Sequence, residues 1–141
     1  MTTEVFRLTR EIKILCVAAT SFPDGVMGAF ETLHRKIPSK ENRTFYGISW
    51  MGKEGNILYK AGVTEIEHGE ADKLRCEEFT IRQGEYLSVI IPDFMKNIPA
   101  MGESFRRLLA DPRVDKKGYC VEIYFNDKDV RCMVTLDPLK N

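Results

Sequence analysis

The sequence lacks the features that would point to a DNA-reading or membrane-bound protein. Its 21 basic and 21 acidic side chains cancel over 141 residues, so the formal net charge is zero. A nucleic-acid-binding protein ordinarily carries a basic excess, because phosphate contacts supply much of its affinity. The sequence also has no apolar run near the roughly 18 residues that a membrane-spanning helix needs. We therefore expect no direct DNA binding and no membrane partner.

Cysteine is scarce, and no two cysteines have the spacing of a CxxC pair. Three of the four lie in apolar runs, where a reduced cysteine packs as a small apolar side chain; the four are Cys16, Cys76, Cys120 and Cys132. This pattern predicts free thiols in a reducing compartment. Residues 1–13 show no apolar stretch behind a basic start, which is what a signal peptide would need. We predict a cytoplasmic protein.

Hydrophobic patterning predicts a repeated order of strands and helices. Apolar and β-branched runs predict strands over residues 13–20, 44–51, 57–66, 76–82, 85–91, 119–125 and 130–136. Apolar residues at spacings of three and four predict amphipathic helices over residues 26–37 and 100–110. The order predicts an α+β fold in which two pseudo-symmetric strand–helix–strand–strand repeats form one mostly antiparallel sheet with two helices on one face. We expect one domain over residues 1–141.

Four short runs along the chain carry a resemblance to a known family. They are Phe22-Pro23-Asp24-Gly25, Phe45-Tyr46-Gly47-Ile48-Ser49, Tyr59-Lys60-Ala61-Gly62-Val63 and Val121-Glu122-Ile123-Tyr124. In this order they resemble the GyrI-like family of bacterial effector-binding, small-molecule-binding domains, over nearly the whole chain. The resemblance implies a cleft between the two repeats that binds amphipathic, often aromatic or cationic molecules. Many members carry a helix-turn-helix of the MerR or AraC type. This sequence resembles the stand-alone members, since no helix-turn-helix fits before residue 13 or after residue 136.

Glu122 is the candidate charge in that cleft. It lies within an apolar strand, and alternation places it on one strand face with Cys120 and Tyr124. A carboxylate in a partly dry cleft needs a partner, which a cationic ligand would supply. The resemblance implies an acid near this position that faces the cleft. The residues alone also allow an ordinary solvent-facing glutamate beside an exposed tyrosine.

Aromatic side chains supply the rest of the predicted site. Tyr46 and Trp50 share one face of a predicted strand, and Tyr59 lies on the partner strand. Such rings stack on flat ligands and attract cations, although aromatic residues in these patterns are more often part of the core. The same holds for Phe30 and Phe105 on the helix stripes. The predicted ligand-binding residues are Glu122, Tyr46, Trp50, Tyr59, Tyr124, Phe30 and Phe105.

The histidines offer little for metal chemistry. His68 lies near Glu67 and Glu70, but the spacing matches no standard zinc pattern. Residues 67–75 are polar throughout and are predicted to be a solvated segment crossing between strands. His34 alone on a helix is weak support for haem. We predict no metal and no cofactor.

We interpret the chain as a binding domain for an effector or drug-like molecule, in transcriptional regulation or in sequestration of drugs or toxins. One alternative is a hydrolase of a reactive small molecule in the same cleft, with Glu122 as general base and Tyr46 or Tyr59 as acid. Another is a protein-interaction module similar to gyrase inhibitors, which the zero net charge disfavours. A homodimer or a separate regulatory protein remains open as a partner.

Overall fold

The computed structural model describes residues 2–140 as strands and helices in the predicted order. The strands are β1 (Glu4–Leu8), β2 (Ile12–Ala18), β3 (Phe45–Met51), β4 (Ile57–Thr64), β5 (Glu77–Ile81), β6 (Gly84–Ile91), β7 (Cys120–Tyr124) and β8 (Val130–Thr135). The helices are α1 (Val26–Lys36), α2 (Glu70–Leu74) and α3 (Pro99–Leu109), with short 3-10 turns at Phe94–Lys96 and Pro138–Lys140.

The strands form one antiparallel sheet whose order shows the internal repeat. The order is β1-β6-β8-β7-β3-β4-β2-β5. If each element of β1-β2-α1-β3-β4 is exchanged with its counterpart in β5-β6-α3-β7-β8, the same strand order results, read from the other edge of the sheet. Strands β3 and β7 meet at the centre, and β1 and β5 each border the opposite repeat. The α+β fold with two pseudo-symmetric repeats is confirmed.

Two elements were not predicted from the sequence. Strand β1 is an exposed edge strand whose only described strand partner is β6, about eighty positions away along the chain, so no local hairpin signal marks it. Helix α2 replaces part of the loop predicted over residues 67–75. It begins after Gly69, whose φ of 79° suits glycine, and it ends at Arg75, which is also left-handed.

Helices α1 and α3 cover the two repeats on the same sheet face. Helix α1 packs through Ala29 and Leu33 onto β2 and β4, and α3 packs through Ala100 and Leu108 onto β6 and β8. The central strands β3 and β7 therefore lie beneath the space between the helices. Within residues 2–140 no helix is long and apolar enough to span a membrane.

The opposite face of the sheet is a second apolar core. It buries side chains from six strands, among them Ile14, Ile48, Val121 and Met133. The sheet curls around this core, so that Phe79 on the β5 edge meets Tyr119, with ring centroids 5.2 Å apart. Both faces are thus largely apolar, and a polar side chain buried on either face needs a specific explanation.

Candidate functional site

The candidate site lies at the junction of the two repeats. Gly47 on β3 stands directly opposite Glu122 on β7, on the face beneath the helices. Ala61 on β4 and Cys132 on β8 continue the same row. The neighbours of Glu122 in this row are all small, which leaves room for one long polar side chain. Glu122 occupies that room and is only 8% exposed.

Two tyrosines hold the carboxylate of Glu122. The hydroxyls of Tyr59 and Tyr124 both donate to its Oε1, at 2.8 and 2.6 Å. The 2.6 Å length lies in the range of a hydrogen bond to an ionised acceptor, and the 2.8 Å length is that of an ordinary hydroxyl hydrogen bond. A Cβ at Gly47 would overlap both the Tyr59 hydroxyl and the Glu122 carboxylate. The cluster of Glu122, Tyr59 and Tyr124, which we call the carboxylate cluster, therefore requires glycine at position 47.

In the carboxylate cluster, the effect of burial on the pKa of Glu122 exceeds the effect of its hydrogen bonds. Burial raises the pKa of Glu122 above its usual 4.5, and the hydrogen bonds from Tyr124 and Tyr59 offset this only in part. Burial and the adjacent Glu122 charge raise the pKa of both tyrosines, so their hydroxyls remain donors. Within residues 2–140 no ion pair to Glu122 is found. The described residues therefore supply hydroxyl dipoles to the Glu122 carboxyl but no cation.

Three phenylalanines cover the carboxylate cluster and form an aromatic roof: Phe22, Phe30 and Phe94. Phe30 from α1 meets Tyr59 and Tyr124 edge-on, with centroids 6.3 and 6.1 Å apart. Phe22 stacks on Tyr59 at 5.8 Å, and Phe94 lies 5.2 Å from Tyr124. Ring faces attract cations, so this roof suits a positively charged aromatic guest.

The roof is built by equivalent parts of the two repeats. Phe22 lies in the connection from β2 to α1, and Phe94 lies in the corresponding connection from β6 to α3. Phe22 is 42% exposed, so one edge of the roof faces solvent. Connections of this kind move more readily than packed strands.

Two depressions flank the carboxylate cluster along β3 and β7. The first, of about 740 Å³, touches Phe45, Phe94 and Tyr124 and is otherwise lined largely by polar loop residues. The second, which we call the apolar pocket, has a volume of about 270 Å³ and lies beyond Ser49 and Cys120. The site is therefore a covered charge between an open polar depression and a smaller apolar one.

The structure brings together four of the predicted ligand-binding residues. Glu122, Tyr59 and Tyr124 form the carboxylate cluster, and Phe30 covers it. The alternation that placed Glu122 with Cys120 and Tyr124 is confirmed by the strand register. The solvent-facing alternative for Glu122 is wrong, because its side chain is buried.

The grouping of Tyr46 with Glu122 is corrected by the register of β3. Gly47 is the residue that faces Glu122, so its neighbour Tyr46 points to the opposite sheet face and packs with Ile48 and Val121. Tyr46 therefore does not stand beside Glu122 as the acid of a catalytic pair. Tyr59, the other candidate acid, does.

Trp50 and Phe105 also lie away from the carboxylate cluster. Trp50 packs against the core of the opposite face, and its edge lines the apolar pocket at the strand end. Phe105 packs against the core beneath α3. Pattern alone did not separate these rings from Phe30, because all three satisfy an amphipathic stripe or alternation.

Sequence reasoning missed Gly47 and two roof residues. Gly47 lies within one of the runs that carry the family resemblance. The reason for a glycine there is visible only in the structure, where the Glu122 and Tyr59 side chains occupy the space that a Cβ would need. Phe22 and Phe94 occupy irregular connections, where no periodicity marks a contact. Aligning the two repeats would have found both, since each precedes a helix by a few residues.

A second buried carboxylate corrects the expectation for residues 67–75. Glu70 is 5% exposed and accepts two hydrogen bonds from Arg43, at 3.0 and 2.6 Å. The Ile66 N–H adds a third at 2.9 Å. The Arg43 guanidinium holds the pKa of Glu70 at about 2. Glu70 therefore forms a buried ion pair with Arg43 and is not part of a solvated loop.

Comparison with solved structures shows which fold the chain has. An integron cassette protein from Vibrio cholerae superposes with a TM-score of 0.72 at 11% identity, covering 96% of this chain and 95% of that one. SAV2435 bound to tetraphenylphosphonium has a TM-score of 0.64 at 11% identity, with 99% and 96% covered. A protein described as a hydrolase from Listeria innocua has a TM-score of 0.61 at 14% identity, with 96% and 91% covered.

These similarities show which fold the chain has. The chain is an α+β domain with the architecture shared by these proteins, over nearly its whole length. No family model matches the sequence, and no curated protein matches it either. At such low identities the likeness shows the fold, and the function has to be argued from the site.

Proposed function

We propose that the chain forms a domain of the GyrI-like type that captures a small amphipathic organic cation carrying aromatic groups. One observation carries the proposal: Glu122 is buried, and its hydrogen bonds in the described structure come from tyrosine hydroxyls and not from a basic side chain. A buried charge is costly unless an opposite charge accompanies it. A ligand cation supplies that charge.

The surroundings of Glu122 favour an aromatic cation over a small hydrated one. Its carboxylate is fixed by Tyr59 and Tyr124, and the aromatic roof adds ring faces for stacking and cation–π contact. The structural neighbour that binds tetraphenylphosphonium, an aromatic monocation, supports this class. Because the roof covers the charge, ligand entry requires the connections that carry Phe22 and Phe94 to move.

Replacing Glu122 by glutamine tests the proposal with tetraphenylphosphonium as probe. Glu122→Gln keeps the shape and removes the charge, so the affinity should fall by roughly 1–3 kcal/mol, the scale of a charge-assisted contact. Triphenylphosphine oxide, a neutral probe of related outline, should lose much less affinity. Isothermal titration calorimetry measures both.

Glu78→Gln, an exposed exchange on β5, is the matched control and should leave both affinities unchanged. Equal affinity of wild type and Glu122→Gln for the cation would contradict the proposal. A regulatory or sequestering role would follow from such binding and would be tested in cells exposed to the identified ligand.

A hydrolase is the second candidate, and the carboxylate cluster is the observation that favours it. A carboxyl group with a raised pKa beside protonated Tyr59 and Tyr124 has the groups of a general base and a general acid. A structural neighbour is described as a hydrolase. In this case Glu122→Gln should keep binding of a strained electrophile such as an epoxide but cut its hydrolysis about a hundredfold or more. Hydrolysis unaffected by the exchange would exclude this role for Glu122.

A further inference from the structure

The apolar pocket lies one strand row beyond the carboxylate cluster. Its floor is Ser49 on β3, Cys120 on β7 and Val134 on β8, which pair in register. The pairs Gly47–Glu122 and Ser49–Cys120 are successive same-face pairs of the same two strands. Same-face neighbours along a strand are about 7 Å apart. The floor of the pocket is therefore the strand row next to the buried Glu122 carboxyl.

Short side chains leave space at the floor of the pocket. Ser49 and Cys120 are both short, so their strands do not fill the volume that the pocket occupies. Longer side chains form the walls instead. These are Trp50, Met51, Ile57, Leu109, Val114 and Tyr119.

Apolar residues left in solvent converge on the rim of this pocket. Met51 is 64% exposed, Leu109 is 43% exposed and Ile57 is 42% exposed. They come from the β3–β4 hairpin and the end of α3, and all three line the pocket. Exposed apolar side chains that surround a concavity are typical of a binding surface.

The size of the pocket restricts what it holds. Its volume of about 270 Å³ falls below the range of roughly 300–1,000 Å³ that holds a whole drug-sized ligand. It is sufficient for a ring or a short alkyl chain. Asp115 and Lys116 also line the pocket, and the Asp115 carboxylate accepts a hydrogen bond from the Lys117 N–H. The rest of the lining is largely apolar, so the pocket suits the uncharged part of a molecule whose charge lies elsewhere.

We infer that the apolar pocket receives the uncharged tail of the same ligand whose cation Glu122 holds. The ligand class is then an elongated amphipathic cation, with an apolar ring about 7 Å from its charge, the distance between successive same-face strand positions. This inference rests on the proposed function and adds a length requirement to it. Compact aromatic cations reach the carboxylate cluster but leave the pocket empty.

A series of phenylalkyl-trimethylammonium ions with one to six methylenes tests the length requirement. Affinity should rise as the chain lengthens until the ring reaches the pocket, by about tenfold or more from burial of the ring. Alkylation of Cys120 gives a second readout, because this thiol lines the pocket and is partly exposed. The Cys76→Ser background removes the other partly exposed thiol, while Cys16 and Cys132 are buried. The long probe should protect Cys120, and benzyltrimethylammonium should not.

Two isoleucines provide a matched pair of variants. Ile57→Asn places a polar group on the pocket wall and should weaken the long probe about tenfold without affecting the short one. Ile66 is 52% exposed and lies outside the pocket, so Ile66→Asn should change neither. Both positions are exposed, so both variants are expected to fold.

The outcomes separate this inference from the proposed function. Suppose that cations bind only when Glu122 is present, but that chain length and Ile57→Asn do not change their affinity and Cys120 remains open to alkylation. The pocket inference is then wrong, and the proposed function stands. If the long probe protects Cys120 equally well in Glu122→Gln and in the protein with Glu122, the pocket binds independently of Glu122. The inference that one ligand occupies both would then be wrong. If no cation in the series binds in a Glu122-dependent manner, both are wrong.

Discussion

Glu70 and Glu122 are carboxylates buried to a similar degree, with 5% and 8% of their surface exposed, yet the fold treats them in opposite ways. Glu70 faces the Arg43 guanidinium through two hydrogen bonds. Glu122 faces the hydroxyls of Tyr59 and Tyr124. The Arg43 guanidinium neutralises the first carboxylate, whereas the second has no ion pair within residues 2–140.

The pKa directions express the same difference. Hydrogen bonds from Arg43 lower the pKa of Glu70 to about 2, whereas burial raises the pKa of Glu122 above 4.5. Burial of an acid therefore does not by itself indicate function. The partner matters, because a buried acid with an internal cation has its charge balanced by the fold, whereas a perturbed acid without one is a candidate functional residue.

The comparison of Glu70 with Glu122 predicts that the largest change in the free energy of unfolding follows substitution of Arg43. Arg43→Met leaves Glu70 buried without a cation and removes hydrogen bonds to the carbonyls of Ser39 and Thr64, so the free energy of unfolding should fall by about 3–5 kcal/mol. Lys60→Met is the control, since its ion pair with Glu77 is partly in solvent and should contribute less than about 1 kcal/mol. Urea denaturation measures both. Equal losses would show that Glu70 does not depend on its partner.

Gly47 should give the next largest effect. The Cβ of Gly47→Ala overlaps the carboxylate cluster, so overpacking should lower the free energy of unfolding by about 1–3 kcal/mol and should weaken tetraphenylphosphonium binding. Gly28 is the matched control, because a Cβ there meets nothing within 4 Å. Gly28→Ala should keep the affinity and raise helix stability by roughly 1 kcal/mol. Unchanged stability and affinity in Gly47→Ala would contradict the tight cluster.

Glu122→Gln should stabilise the protein, in contrast to Glu70→Gln. Removing a buried carboxyl that lacks a cation should raise the free energy of unfolding by roughly 1 kcal/mol near neutral pH, because burial disfavours its ionised form. Glu70→Gln removes a charge that Arg43 neutralises and should lower it. Urea denaturation under the same buffer conditions compares the two. A loss of stability in both variants would contradict the difference between the sites.

The pH dependence of these two variants should also be opposite. The pKa of Glu122 is raised on folding, so its unfavourable contribution is absent below pH 4.5 and grows as the pH rises through the folded value. The pKa of Glu70 is lowered, so its favourable contribution is present above pH 4.5 and is lost as the pH falls towards about 2. Parallel pH profiles for Glu122→Gln and Glu70→Gln, each relative to wild type, would contradict this assignment.

Local patterns in the sequence were sufficient to predict the repeated order of strands and helices and part of the site. Alternation placed Glu122 and Tyr124 on one face of β7, but the helix stripes did not separate Phe30, which covers the site, from Phe105, which packs in the core. The face of β3 was not predictable in the same way, because Tyr46 and Gly47 exchange faces with a shift of one residue in register. That register is fixed by packing against β7, more than seventy positions later in the chain.

The Arg43–Glu70 pair illustrates the same limit. Neither residue stands in a pattern that predicts burial, and the two lie 27 positions apart. Only the folded chain brings the connection before β3 to the start of α2. Charged residues are rarely buried, so sequence reasoning correctly favours solvent at such positions and fails where a long-range partner exists.

The most direct test of the central claim is the pKa of the Glu122 carboxyl, measured by carbon-13 NMR with and without saturating tetraphenylphosphonium, using Glu122→Gln to assign the signal. We predict a pKa above 4.5 in the free protein and a marked decrease when the cation binds, because an adjacent positive charge favours the ionised form. A Glu122 pKa that is the same in the free and the saturated protein would contradict the claim that the ligand is the missing counter-ion.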